Sequence, residues 1–127
     1  MCLLDAVVDW DATHLHARSG SHRQANNPLR AEGALHAVNL CEYAAQAMAL
    51  HGALQPRAAA PQAAQGWLVA LRDVELRVDR IDGLPGWLQV YVECLLAQAD
   101  GRHYAFRIEH RGRTLAAGRA AVMLGNR

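Results

Sequence analysis

Residues 36–51, HAVNLCEYAAQAMALH, constrain the fold more than any other part of this chain. The stretch is helical in composition yet has almost no polar face. Val38, Cys41, Ala45 and Met48 follow the three-four spacing of a buried stripe, while Ala44, Ala49 and Ala53 keep the other faces small. A helix of this kind has to be wrapped by other structure rather than laid on a surface. Gly52 is the expected C-terminal stop. Glu42 is the exception, a carboxylate inside the first turns. It is a surface charge, a helix-end device or a catalytic acid.

The rest of the chain can supply the wrapping. LLDAVVDW reads as a short strand, and residues 13–19, THLHARS, alternate with Leu15 and Ala17 on one face and His14, His16 and Arg18 on the other. Asp11-Ala12 joins the two as a hairpin. GSHRQANNPLRAEG is polar and punctuated by Gly, Asn and Pro, so it reads as loop. LQPRAAAPQAAQG, residues 54–66, reads as a linker. After Gly66 the pattern changes to strands. Trp67, Val69 and Leu71 share one face, then Val74, Leu76 and Val78 the other, which marks a bulge or bend at Arg72-Asp73. Leu88, Val90, Val92, Cys94 and Leu96 line one side of the next strand. Asp100-Gly101 is a two-residue turn, Tyr104, Phe106 and Ile108 point inward, Arg111-Gly112 turns again, and TLAAGRAAVML closes the sheet. Two strands, one helix and four strands make a single α+β domain over residues 1–127. One antiparallel sheet curls around one helix, because nothing else can cover it.

Bulk properties exclude more than they assign. Hydrophobic residues make up 52%, which argues against disorder, and the net charge of +1 gives no reason to expect nucleic acid or an anionic membrane as partner. All thirteen basic residues are arginine, so any bound anion meets guanidinium forks. The three cysteines have no paired spacing, and no histidine pattern accompanies them, so neither a disulfide framework, a metal site nor a cofactor is expected. No basic stretch precedes the first apolar run and no apolar stretch is long enough for a bilayer, so the expectation is a soluble, cytoplasmic protein. The chain opens almost inside a strand, and some preceding residues are expected to be missing.

At the helix the pattern becomes specific. GALHAVNLCEYAAQAMALHG resembles the helix of the hotdog β-hydroxyacyl-acyl-carrier-protein dehydratases, where a Met-Pro-Gly-like turn leads into Glu-Ala-Leu-Ala-Gln; here Glu42-Tyr43-Ala44-Ala45-Gln46 matches Glu-x-x-Ala-Gln. LRDVELRVDRIDGLPGWLQVYVECLL resembles the family's paired strands around a Pro-Gly turn, and HRGRTLAAGRAAVML its closing hairpin. The nearest resemblance is to the divergent dehydratase-like subunits of aryl-polyene pigment clusters. It implies a hotdog fold and dehydration of 3-hydroxyacyl thioesters on the phosphopantetheine arm of acyl-carrier protein, in fatty-acid or polyene-type biosynthesis. A histidine would take the α-proton and a carboxylic acid would protonate the leaving hydroxyl. Backbone N–H groups at the helix start would polarise the thioester oxygen. Low dielectric would keep the acid protonated. It also implies a dimer, with histidine and acid from different subunits.

The chain departs from the pattern at the base. Laid without gaps, the family's histidine falls on Pro28, its turn glycine on Ala37 and the preceding proline on His36. On this resemblance Glu42 is the acid, and His22 the preferred replacement base, with His36 the other choice. His36, Ala37, Gln46 and Pro28 then fall at the substrate.

Each residue also has a plainer reading. Asn39 and Glu42 form a capping box by spacing. His22 also reads as a solvent-exposed loop histidine, and His51 as a charge-dipole contact at the helix end. Cys41 reads as packing. Gln46 either orients Glu42 or satisfies a strand. Arg18, Arg23 and Arg30 flank the loop, either solvated or facing an acidic carrier protein. A homodimer or a heterodimer with another hotdog subunit is expected, because an open antiparallel sheet leaves an edge. A thioesterase of the same fold and a non-catalytic carrier-binding or partner subunit are the rival readings.

Overall fold

The computed structural model describes residues 2–55, 68–98 and 101–123. Strands β1 (Ala6–Trp10) and β2 (His14–Ser19) form the expected hairpin. Helix α1 (Leu40–Leu54) follows, then β3 (Leu68–Leu76), β4 (Leu88–Gln98), β5 (Gly101–His110) and β6 (Arg113–Met123). All six strands join one antiparallel sheet in the order β1-β2-β4-β5-β6-β3, and α1 packs against β2, β4 and β5. This is the hotdog arrangement, a curved sheet around one long helix. No helix among the described residues is long and apolar enough to cross a membrane.

Alternation fixes the inner face of the sheet. Leu15 and Ala17 of β2, Leu88, Val90 and Val92 of β4, and Tyr104, Phe106 and Ile108 of β5 are buried, with Ala116, Ala120 and Val122 of β6. The bend in β3 is real: the register shifts between Arg72 and Glu75, and Asp73 has φ 52°. Arg111 and Gly112 carry φ 52° and 82°, the two positive values of a type I′ hairpin turn. A second bulge, between Cys94 and Leu96, turns the end of β4 over. Leu96 is therefore exposed, against the expectation that it shares the inner face. Gly101 is the first residue of β5, paired with Gln98, rather than part of the turn; Asp100, Trp67 and most of the 54–66 linker lie outside the described residues.

The helix differs from its sequence reading in two ways. Its buried side chains are Leu40, Tyr43, Ala44, Ala47, Met48 and His51, whereas Val38 is 59% exposed and Cys41 and Ala45 are only half-buried. The buried stripe is thus rotated from the expected one. Gly52 does not stop the helix but lies buried inside it, and the last turn continues to Leu54. Helix packing under the sheet outweighs the roughly 1 kcal/mol that glycine costs in a helix.

The helix entry is fixed by pairing with the segment after β3. Ala37 N–H donates to Asp79 O at 2.8 Å, Ile81 N–H to Leu35 O at 2.9 Å, and Leu35 N–H to Asp82 Oδ1 at 3.0 Å. The Arg80 guanidinium, 2.9 Å from Asp82, and the Leu35 N–H hold that carboxyl well below the usual range. A 3-10 turn, Ala37–Asn39, leads into α1.

Candidate active site

Two places bear on catalysis: the helix entry with Glu42, and the β2–α1 loop with His22. Glu42 lies in the first turn of α1, exposed, with no hydrogen bond or ion pair among the described residues. Asn39 is itself helical (φ −70°, ψ −11°) and its side chain caps nothing, so the capping box does not form. Among the described residues nothing gives this exposed carboxylate the low-dielectric cover that the resemblance implies.

The N–H groups around the helix start are mostly committed. Ala37 donates to Asp79 O, Asn39 to His36 O, and Leu40 to the carbonyls of Ala37 and Val38. Ala37 N–H is thus not one of the free helix-start donors that the resemblance implies. Val38 N–H finds no acceptor among the described residues. His36 is exposed and forms an isolated bridge with Arg80.

The loop is not the solvated segment its composition suggests. A 3-10 turn, Ser21–Arg23, follows β2, and Ser21, His22 and Asn27 are buried. Tyr43, from the buried face of α1, reaches it: its hydroxyl lies 2.9 Å from Ser21 Oγ and accepts from Asn27 Nδ2 at 3.2 Å. Asn27 Nδ2 also donates to Ser21 O at 3.0 Å, and Ser21 Oγ to Leu3 O at 2.9 Å. Arg30 spans the loop, donating to the carbonyls of Gln24, Gly33 and His22. Its guanidinium is thus engaged within the loop. Arg18 instead stacks over Trp87, 4.4 Å from the ring centroid, and Arg23 is exposed. Pro28, where the family histidine would fall, is exposed beside buried Asn27.

His22 is fully buried, which corrects the reading of an exposed loop histidine. Its Nε2 lies 2.7 Å from the carbonyl oxygen of Leu84. A carbonyl only accepts, so in the neutral ring the proton sits on Nε2 and the lone pair on Nδ1. Nδ1 is enclosed and has no partner among the described residues. Burial is the main cause that lowers the His22 pKa, partly offset by the Leu84 bond; the charges of Arg23, His110 and Arg30 lower it further. The result is a neutral imidazole with an unused lone pair. A base needs that state.

Gln46 accepts the Leu3 N–H at 2.7 Å, tying the first residues to the helix. His51 is not a charged helix-end contact. It is buried, its Nε2 donates to Asp11 O at 3.1 Å, and its Nδ1 accepts from the Tyr104 hydroxyl at 2.9 Å. Burial again lowers its pKa. A cavity of about 540 Å³ opens on the outer face of the sheet, beside His16, Tyr91, Arg107 and Arg119. None of Glu42, His22, His36, Ala37, Gln46 or Pro28 lines it, so it is separate from the candidate site.

Sequence reasoning missed Tyr43, Ser21, Asn27, Val38 and Leu84. Tyr43 stood inside the Glu-x-x-Ala-Gln match, and a bulky hydroxyl on an otherwise small-residue helix was the one available signal. No local signal points to Leu84, which meets His22 across sixty-two positions.

Comparison with known proteins agrees with this fold. One chain of "The Dehydratase Heterocomplex ApeI:P" from Xenorhabdus doucetiae superposes with TM-score 0.85 at 20% identity, covering 98% of this chain and 84% of that one. AziG of S. sahachiroi follows with TM-score 0.67, 12% identity, and coverage of 95% and 90%. A hypothetical thioesterase with coenzyme A from Streptococcus pneumoniae TIGR4 gives TM-score 0.64, 12% identity, and coverage of 95% and 85%. At these identities the likeness shows the fold. No curated protein matches the sequence. The sequence profile of the ApeP-like family, described as ApeP dehydratase, matches residues 1–126, and the chain belongs to that family.

Proposed function

We propose that this protein is a subunit of a hotdog dehydratase acting on 3-hydroxyacyl chains held as thioesters on acyl-carrier protein, in polyene-type or fatty-acid chain building. His22 takes the proton from the carbon next to the thioester carbonyl. The electrons of that C–H bond become the new double bond, and the C–O bond to the hydroxyl breaks. Glu42 supplies the proton that lets the hydroxyl leave as water, because hydroxide is a poor leaving group. Val38 N–H, at the positive end of the helix, stabilises charge on the thioester oxygen. The product is the trans-2-enoyl thioester, and proton exchange resets both groups.

The observation that carries the reading is His22: a buried imidazole, held in one tautomer by Leu84 O, with an unused Nδ1. Glu42, exposed and unpaired at the helix entry, supports its acid partner.

The site is completed by a second hotdog subunit. β3 is one free edge of the sheet and β1 the other; Leu71, Val74 and Leu76 on β3 are 43%, 36% and 41% exposed, and β3 is the edge next to the helix entry. Val38, at the helix entry stitched to Asp79 just past β3, adds another exposed apolar side chain. An unpaired edge bearing apolar side chains is built for another strand. A second subunit joined there covers Glu42, giving it the dry surroundings an acid needs. The ApeI:P relative is a heterocomplex, which favours a non-identical partner over a homodimer. Acid and base then both come from this chain rather than from different subunits, a departure from what the resemblance implies.

One observation favours the rival reading of a non-catalytic subunit: His22 Nδ1 is enclosed within its own chain. The test is enoyl product formation from 3-hydroxyacyl-carrier protein, followed by mass spectrometry, for the chain alone and with its partner hotdog subunit. Product from the complex that fails with His22→Ala or Glu42→Gln in this chain supports the catalytic role. Full turnover with both variants makes this chain an accessory subunit.

A further inference from the structure

We propose that His110 is the positioning residue for His22, acting through two successive carbonyls of the β3–β4 connection. The inference rests on the reading of His22 as the base and adds a residue to it. His110 closes β5 and is 9% exposed. Its Nε2 lies 2.6 Å from Pro85 O, while His22 Nε2 lies 2.7 Å from Leu84 O. Two buried imidazoles, from β5 and from the β2–α1 loop, therefore grip neighbouring peptide units from two sides.

The consequence is a matter of donors and acceptors. Neither carbonyl can donate, so in its neutral form each ring carries the proton on Nε2 and the lone pair on Nδ1. The Leu84 carbonyl orients the base only if the 84–86 segment is itself held. That segment is short, leads into Gly86 at φ 80°, and is bonded by Leu84 N–H to Ile81 O at 3.2 Å. His110 is the side chain that pins its far side. The base, its tautomer and the ring plane thus depend on a histidine that never needs to touch substrate.

The experiment is long-range proton–nitrogen NMR of the full chain carrying ¹⁵N-histidine, comparing wild type with His110→Phe and His110→Gln. Assignment of the His22 ring comes from the spectrum of His22→Ala. In wild type, His22 shows one tautomer, protonated at Nε2. In His110→Phe that single tautomer gives way to a mixture, and kcat of the complex falls about tenfold, part of what a positioned base contributes, with KM held. In His110→Gln the amide N–H again donates to Pro85 O, and both the tautomer and turnover return. A His22 tautomer that is unchanged in folded His110→Phe overturns the proposal. Failure of the catalytic reading is read separately: turnover that survives His22→Ala removes the base while leaving the tautomer comparison intact.

Discussion

Replacing Tyr43 by phenylalanine probes the contact that holds the His22 loop to the helix. The substitution keeps the buried ring and deletes one hydroxyl, which sits 2.9 Å from Ser21 Oγ and 3.2 Å from Asn27 Nδ2. Neither partner is stranded. Ser21 Oγ keeps Leu3 O at 2.9 Å and Asn27 Nδ2 keeps Ser21 O at 3.0 Å, so the larger penalty for a bare buried polar group does not apply. Two hydrogen bonds worth about 1 kcal/mol or somewhat less each leave a cost of about 1.5 kcal/mol. With an unfolding entropy of about 2.1 cal/mol/K per residue, 127 residues turn that cost into a midpoint drop of about 6 °C. Urea unfolding at fixed protein concentration should show the loss with an unchanged slope. A double-mutant cycle with Ser21→Ala should return a coupling of at least about 0.5 kcal/mol. No loss of stability, or strict additivity in the cycle, would refute the network.

Other consequences follow from the same structure. His22 and His51 are buried and neutral, with pKa lowered in the folded protein from the ordinary 6.5. The unfolded chain thus binds more protons below pH 6.5, so stability is complete above that value and falls as pH drops toward the folded-state pKa, by at most about 1.4 kcal/mol per pH unit for each histidine. Thermal melts from pH 7.5 to 5 should show this, and His51→Gln should flatten the slope; an unchanged slope would contradict the assignment. Leu71→Arg with Leu76→Arg places two charges on the exposed edge of β3, and light scattering should show loss of assembly with the second subunit. Undiminished assembly would move the interface elsewhere.

How far the sequence carries is clearest from particular elements. The strands were legible because period-two alternation survives in Leu88–Val92 and Tyr104–Ile108, and the β3 bend because its apolar face switches at Arg72-Asp73. The helix was legible as a helix, but not its orientation. With alanine on nearly every side, periodicity selects no face, and packing of Leu40 and Tyr43 on the sheet decides instead. Gly52 misled for a related reason, since burial kept the helix going past it. The β2–α1 loop was read by its Gly, Asn and Pro content as solvated. Its structure comes from contacts between residues sixteen, twenty-two and sixty-two positions apart, which no local pattern records. Glu42 was found through a short motif; its exposure was one of three readings the sequence left open, and its proposed cover belongs to another subunit.

The most direct test of the central claim is steady-state turnover of 3-hydroxyacyl-carrier protein by the assembled complex carrying Glu42→Gln, His22→Ala or both in this chain. If the two residues are acid and base of one reaction, each single variant should lose about a hundredfold or more in kcat. The double variant should then lose little beyond the worse single one, because groups that act as a unit are not additive. Near-wild-type turnover in either single variant would contradict the account.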